Sequence, residues 1–331
     1  MLQQMEDAHT DSTPPVPAVS VIIPCYKVTA FIAEALDSAR AQTFRDFETI
    51  VINDGCPDTG NLERALAPYQ DEIRYIKQEN QGLAGALNTA IRAARAPLIA
   101  FLSGDDIWEP NYLEVQVGYL EKHPEVDVVY PNAVYFGVPR WAGKIYRDVS
   151  PSRGEVTVNS LLTGECIVNA MLAARREAIM KVGMFDPELS SGEDWDLWLR
   201  VAKAGFKIAY HNQVLYRYRL RLGSLSDDKL GLSKSGIGIL EKFLRREDLT
   251  SDERRLALER LRDYEAQLSL ALGKIALYAG NRKDALFHLG RANAVMKDRR
   301  IGAALLLLRV APWALYRLVH RRYATEYQFL H

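Results

Sequence analysis

A chain of 331 residues that is 48% hydrophobic and 25% charged holds enough apolar material for one large core or two smaller ones. Lys plus Arg and Asp plus Glu both number 42, so the net charge is zero and no global field recruits nucleic acid. Three cysteines, Cys25, Cys56 and Cys166, without CxxC spacing argue against a disulfide framework and a zinc site and fit a reducing cytoplasm.

Residues 1–18 are polar, acidic and proline-rich. With neither a basic leader nor an apolar stretch they read as a disordered tail, not a signal peptide. From Val19 short apolar runs alternate with amphipathic stretches. VSVII (19–23) is a β-branched strand stopped by Pro24, and TAFIAEALDSARAQ (29–42) places Ile32, Leu36 and Ala39 at helical spacing behind a Thr29 that can cap. FETIVIND (47–54), IRYIKQE (73–79) and APLIAFLSGDD (96–106) read as further strands, with helices in LERALAPY (62–69) and GALNTAIRAAR (85–95). Strands separated by helices imply an α/β fold whose mostly parallel sheet is covered on both faces. Ligands of such sheets bind outside the carboxyl ends of the strands. PCYK (24–27), NDG (53–55), NQG (80–82) and SGDD (103–106) all follow strand ends, so they converge on one edge.

Past Trp108 the pattern loosens. A helix with Pro110 in its first turn spans 110–124, a strand 126–137, and 138–160 is irregular and polar, suited to shaping a substrate site. A short strand and helix follow in 167–183. EDWDLWLRVAKAG (193–205) is a helix that Gly205 can end, and KIAYHNQVLYRYRLR (207–221) is extended, with Arg217, Arg219 and Arg221 on one face. From about Asp227 the chain is charged amphipathic helix, including one tetratricopeptide-like hairpin too short for a solenoid, expected to pack on the main domain. Residues 301–323 are apolar but interrupted by Arg309, Pro312 and Arg317, well short of a membrane span. Trp313 with Arg317, Arg321 and Arg322 suits a helix lying in a membrane interface; a core-packing helix has the same composition.

The chemistry starts with Asp105 and Asp106. Adjacent carboxylates are tolerated where a divalent cation or cationic ligand offsets their repulsion; a helix amino terminus before Pro110 would also accept them. The order VSVIIPCYK, FETIVINDG, NQGLAGALN, IAFLSGDDIWEP and GEDWDLWLR resembles the inverting family 2 glycosyltransferases of GT-A fold, over residues 19 to 225. That resemblance implies a nucleotide-binding half (19–107) and an acceptor half (108–226), and is silent on the helical C-terminal region (227–331). It also implies an enzyme moving a sugar from a UDP- or dTDP-sugar to a glycan or lipid-linked acceptor, with Mn²⁺ or Mg²⁺. The protein would be cytoplasmic, peripheral at the membrane face. A non-catalytic sugar-nucleotide-binding or scaffolding protein is the alternative.

Carried over residue by residue, Pro24 to Tyr26, with Lys27, lines the nucleotide pocket. Asp54 accepts a ring N–H of uracil or thymine. Asn80, Gly82 and Gly85 belong to the NxG loop. Ser103, Gly104 and Asp105 fall on the family's DxD motif, with Asp105 the metal ligand and Asp106 a loop-shaping or acceptor-side neighbour. Arg219 and Arg221, preceding Ser224 and Ser226, close over the donor diphosphate. Glu193 and Asp194 match the family's ED pair, with Asp194 the base; helix capping is their other reading. Departures stand at Lys27, where members often have Asn, at Asn53 for an acidic residue, at Ser103 for the first DxD aspartate and at Leu87 for an Arg. Trp108, Trp195 and Trp198 read as packing residues, and His123 and His211 have no ligand-spaced partner.

Overall fold

The computed structural model describes residues 15–221, 228–315 and 317. The first strands and helices are β1 (Val19–Cys25), α1 (Ile32–Arg40), β2 (Phe47–Asp54), α2 (Thr59–Leu66), β3 (Ile73–Gln78), α3 (Gly82–Ala93) and β4 (Leu98–Phe101). Next come β5 (Ile107–Trp108), α4 (Tyr112–Lys122), β6 (Val128–Phe136), α5 (Tyr146–Val149) and α6 (Val158–Thr163). The third stretch holds β7 (Ala173–Arg175), α7 (Arg176–Lys181), α8 (Glu193–Lys203) and β8 (Ile208–Arg219). Four helices finish the described chain: α9 (Lys229–Leu244), α10 (Ser251–Tyr278), α11 (Arg282–Met296) and α12 (Arg299–Val310).

The eight strands form one sheet in the order β3-β2-β1-β4-β7-β6-β8-β5. β1 pairs in parallel with β2 and β4, and β2 with β3, while β7 runs antiparallel to β4 and β6. Alternation along the central strands fills two layers. Ile22, Ile50 and Ile52 join the core under α3, α8, α9 and α10, whereas Val21, Ile23 and Val51 join the core under α1, α2 and α4. Each such fully buried side chain contributes roughly 1.5–3 kcal/mol.

Several local expectations are corrected. β1 does not stop at Pro24 but continues to Cys25, with Pro24 opposite Ile52. The Ile22 carbonyl accepts from Leu102 on the β4 side. Pro24 faces the same way two residues on, where β4 has already ended at Phe101, so its missing N–H breaks no ladder bond. Thr29 does not cap α1: the helix starts at Ile32 without a side-chain cap, and the Thr29 hydroxyl is buried without a partner. The stretch 138–160 is not wholly irregular, since it holds α5 and the start of α6, which Thr157 and Ser160 cap reciprocally. Gly205, at φ +83°, follows the end of α8 as its sequence position suggests.

The C-terminal helices divide. Ile239, Leu240, Phe243 and Ala257 of α9 and α10 enter the main core, while α11 and α12 close a separate cluster with the far end of α10 around Leu289, Ile301, Leu305 and Leu308. The apolar segment beginning at 301 packs on one side only. Ile301, Leu305 and Leu308 pack inward, and Leu306, Val310 and Trp313 remain exposed. Arg321 and Arg322 lie outside the described residues, as do Ser224, Ser226 and residues 1–14. Among the described residues no helix is long and apolar enough to cross a membrane.

Candidate functional site

The loops after β1, β2, β3 and β4 meet at one sheet edge. The Asp54 side chain, 2% exposed, binds two of them. Its Oδ1 accepts from Gln78 Nε2 at 2.7 Å and from the Gln81 backbone N–H at 2.8 Å, while Asn80 Nδ2 donates to its carbonyl at 2.9 Å. Both of these side-chain bonds fall on Oδ1 and neither on Oδ2. Gly55 permits this union, because a Cβ there would lie 2.6 Å from the Asn80 nitrogen. Asn53 shapes the same turn, accepting from Cys56 N and donating to Thr59 Oγ1 and Tyr75 OH. Asn80 Oδ1 accepts from Gly82 N at 3.3 Å, and Gly82 and Gly85 lie in the first turn of α3. Leu87 of the same helix is buried in the core.

Tyr26 and Lys27 form the exposed turn after β1, with the ammonium 5.1 Å from the Tyr26 ring centre. Lys27 sits at φ +56°, a left-handed conformation that Asn adopts more readily than Lys. This gives a backbone reason for the Asn usual at that family position. Gly104 packs the acidic loop onto this turn: a Cβ would meet Val28 Cγ2 at 2.8 Å and the Pro24 carbonyl at 3.2 Å.

Asp105 and Asp106 part in opposite directions. Asp106 is buried, and its Oδ1 accepts from the Arg219 backbone N–H at 2.7 Å, tying the loop to the end of β8. Burial, then the nearby Asp105, pushes its carboxyl well above the ordinary range. Asp105 Oδ2 pairs with Arg221 Nε at 2.7 Å, and its carbonyl accepts from Arg219 Nε at 2.7 Å. The Arg219 guanidinium lies 4.7 Å from the Phe31 ring centre and 4.3 Å from that of Phe136, and pairs with Glu34 at 3.0 Å. Arg217 stays exposed, although it too lies over Phe136. Ser103 donates its backbone N–H to Met171 Sδ.

A divalent cation fits this donor set in one way. Among the described residues no group of three His, Cys, Asp or Glu gathers, so an all-protein cage is absent there. The Asp105 carboxylate is a hard oxygen donor within reach of solvent, and the remaining positions would be filled by phosphate oxygens and water, as Mg²⁺ and Mn²⁺ accept.

Glu193 and Asp194 occupy the first turn of α8, behind a left-handed Gly192 that makes no side-chain cap. Neither is in an ion pair among the described residues. Burial, then Asp194, pushes the Glu193 carboxyl up to about 7, and burial raises Asp194 as well, against a bond from the Trp195 N–H to its Oδ1 at 2.7 Å. The helix dipole compensates in part.

The structure adds residues that pattern reading passed over. Tyr146, pushed up by burial and by Tyr135, Tyr218 and Asp194, lies within electrostatic reach of that carboxylate. Tyr216 is buried within electrostatic reach of both Tyr146 and Asp106. The one signal for the β8 tyrosines was the alternation in LYRYR, which sets Tyr216 and Tyr218 against the arginines. Trp108 is stacked on Tyr112 at 4.0 Å and buried, Trp195 donates to the Leu161 carbonyl, and Trp198 is in the core. His211 bonds Gln116, and burial holds its imidazole down at about 4.

Residues 20–183 match the family described as glycosyl transferase family 2. An uncharacterized glycosyltransferase of Rickettsia prowazekii (strain Madrid E) is 30% identical over 245 residues, covering 72% of this chain and 74% of that protein. Relatives from Rickettsia felis, Rickettsia bellii and Rickettsia conorii are larger, and the chain spans only 34%, 30% and 34% of their lengths. Among solved structures, residues 1–349 of S. aureus TarS in complex with UDP-GlcNAc align with TM-score 0.63 at 19% identity, over 93% of this chain and 92% of that one. The mannosyltransferase PcManGT from Pyrobaculum calidifontis, in complex with GDP-Man and Mn²⁺, gives 0.58 at 22%, over 97% and 87%. Those two likenesses establish a shared fold that takes in the C-terminal helices. With the sequence match across most of a whole relative, the mixed sheet and the motif order, this chain belongs to glycosyl transferase family 2 and has its GT-A fold.

Proposed function

We propose that the chain is an inverting hexosyltransferase that moves a sugar from a UDP- or dTDP-sugar to a hydroxyl of a glycan or lipid-linked acceptor in cell-surface polysaccharide or glycoconjugate synthesis. The observation that carries the reading is the pair of a buried Glu193 and a half-buried Asp194, which has no cation beside it among the described residues and so favours taking a proton. Asp194 removes the proton of the acceptor hydroxyl. The oxygen attacks the anomeric carbon in line, the bond to the diphosphate breaks with its electron pair leaving on phosphate, and configuration inverts. Asp54, with Tyr26, Lys27 and the Asn80 loop, holds the nucleoside. Arg219 and Arg221 offer charge to the diphosphate. When bound at Asp105, Mn²⁺ or Mg²⁺ supplies further positive charge to the leaving group.

In this reading residues 19–107 serve the donor, 108–226 the acceptor, and 227–331 support both. The exposed Leu306, Val310 and Trp313, with Arg309 and Arg317, support a peripheral position at a cytoplasmic membrane face. One observation favours a non-catalytic sugar-nucleotide-binding role instead: Leu87, at a family arginine position, is a core residue with no charge to offer.

Incubation with a panel of UDP-, dTDP- and GDP-sugars and Mn²⁺ separates the two. Nucleoside diphosphate release that rises with cell-derived acceptor is expected. No turnover with any donor, together with an Asp194→Asn variant that leaves donor binding and cellular glycan unchanged, defeats the enzyme reading. Asp105→Asn is expected to abolish the metal dependence of donor binding. Deleting 301–331 is expected to release the protein from membranes.

A further inference from the structure

A cleft of about 970 Å³ lies at the other end of β8 from Asp105, bounded by the chain entering α6, the end of α8 and the start of α10. Its size suits a ligand of several rings. Its walls carry Arg147, Asn159, Phe206, Lys207, Tyr210 and Asn212. We infer that this cleft binds a saccharide, the distal part of the acceptor chain; the inference rests on the transferase reading and extends it.

The polar groups in the cleft are only half used. Asn212 Oδ1 accepts from Tyr210 OH and from Asn132 Nδ2, each at 2.8 Å, which leaves the exposed Asn212 amide N–H groups to donate. Asn159 Oδ1 is buried without a partner, and an orphaned acceptor of this kind costs about 1–3 kcal/mol unless a ligand or water supplies a donor. Arg147 rests on the Tyr210 ring at 5.3 Å. Neither it nor Lys207 is in an ion pair among the described residues, while Glu253 on the facing wall is already paired with Lys203 at 2.8 Å. Beside these groups Phe206, Val156 and Ile208 give apolar surface. Free donors, a free acceptor and apolar patches within one cleft match a sugar ring, which presents hydroxyls around its rim and C–H groups on its faces. The two unpaired cations extend the match to acidic sugars.

The cleft also shares two chain segments with the proposed base. Asp194 stands in the first turn of α8 and Ala202, near its other end, lines the cleft. Eight residues of helix separate them, about 12 Å at the α-helical rise. Tyr146, within electrostatic reach of Asp194, precedes Arg147 in the chain. An acceptor chain of several sugars whose end hydroxyl meets Asp194 is long enough to span that separation.

The test uses the full chain on a printed array of neutral and acidic oligosaccharides, followed by calorimetric titration of whichever saccharide is captured most strongly. Asn212→Ala and Arg147→Ala, both at exposed side chains, are expected to weaken its Kd at least tenfold while circular dichroism and melting stay native, and Asp105→Asn on the donor side to bind as the parent does. Capture of nothing on the array overturns the inference. So does a saccharide whose affinity falls in Asp105→Asn and holds in the two cleft variants. Failure of the transferase reading shows separately, as absent nucleoside diphosphate release by the parent protein.

Discussion

Asp105–Asp106 and Glu193–Asp194 are the same feature in sequence, two adjacent acids at the start of an element, and the fold pairs Asp105 with arginine while burial pushes up the carboxyls of Asp106, Glu193 and Asp194. The first pair is answered by arginine from the end of β8: Arg221 holds the Asp105 carboxylate and the Arg219 backbone holds Asp106. The second receives no cation among the described residues, only desolvation, a neighbouring acid and a helix amino terminus. A paired acid is built to sit beside positive charge, and an unpaired buried acid is built to gain a proton. That contrast separates the proposed leaving-group side of the reaction from the proposed base.

The contrast breaks most visibly at Asp194. Asp194→Asn is expected to lower kcat about 10²–10⁴-fold, the usual span for a lost general base, with donor affinity by calorimetry held; equal loss of donor binding would make the residue structural. Arg221→Met comes next. A guanidinium and a divalent cation compete for the same carboxylate, so removing one charge-assisted hydrogen bond of roughly 1.5–3 kcal/mol is expected to tighten Mn²⁺ binding without donor about tenfold, read by electron paramagnetic resonance. Unchanged Mn²⁺ affinity would mean the Arg221–Asp105 pair does not govern that carboxylate.

Glu193→Gln gives a pH signature. A carboxyl raised from 4.5 to about 7 lends stability fully below its ordinary value and loses it as pH rises through the folded one. The Glu193→Gln protein should therefore gain in melting temperature relative to the parent between pH 5 and pH 8. A melting difference independent of pH would refute the buried coupled pair. Smallest is Lys27→Asn, expected to add about 0.5 kcal/mol by easing the left-handed backbone, measured by urea denaturation.

The donor side was legible because its signals are local. A β-branched run followed by PCYK, NDG or SGDD states both the strand and the polar loop at its end, and parallel topology brings such loops together. Reading failed where partners are distant in the chain. Thr29 looked like a cap and is a buried hydroxyl, since a turn in which the Phe31 and Ile32 N–H groups donate to the Val28 carbonyl leads into α1 instead. The row Arg217, Arg219 and Arg221 was visible as a row, yet only pairing of β8 with β5 and β6 turned Arg219 and Arg221 toward the acidic loop and left Arg217 outside.

Periodicity, loop composition and motif order by themselves determined that this chain is an α/β protein of family 2 with its polar residues at one sheet edge. Those properties depend on neighbours within a few residues and are written in the chain. Tertiary structure alone decided that Asp105 meets Arg221 across 116 positions, that Tyr146 nears Asp194, and that a second cleft opens beside Arg147. Charge and burial depend on which surfaces face each other, and only the closed sheet with its helices settles that.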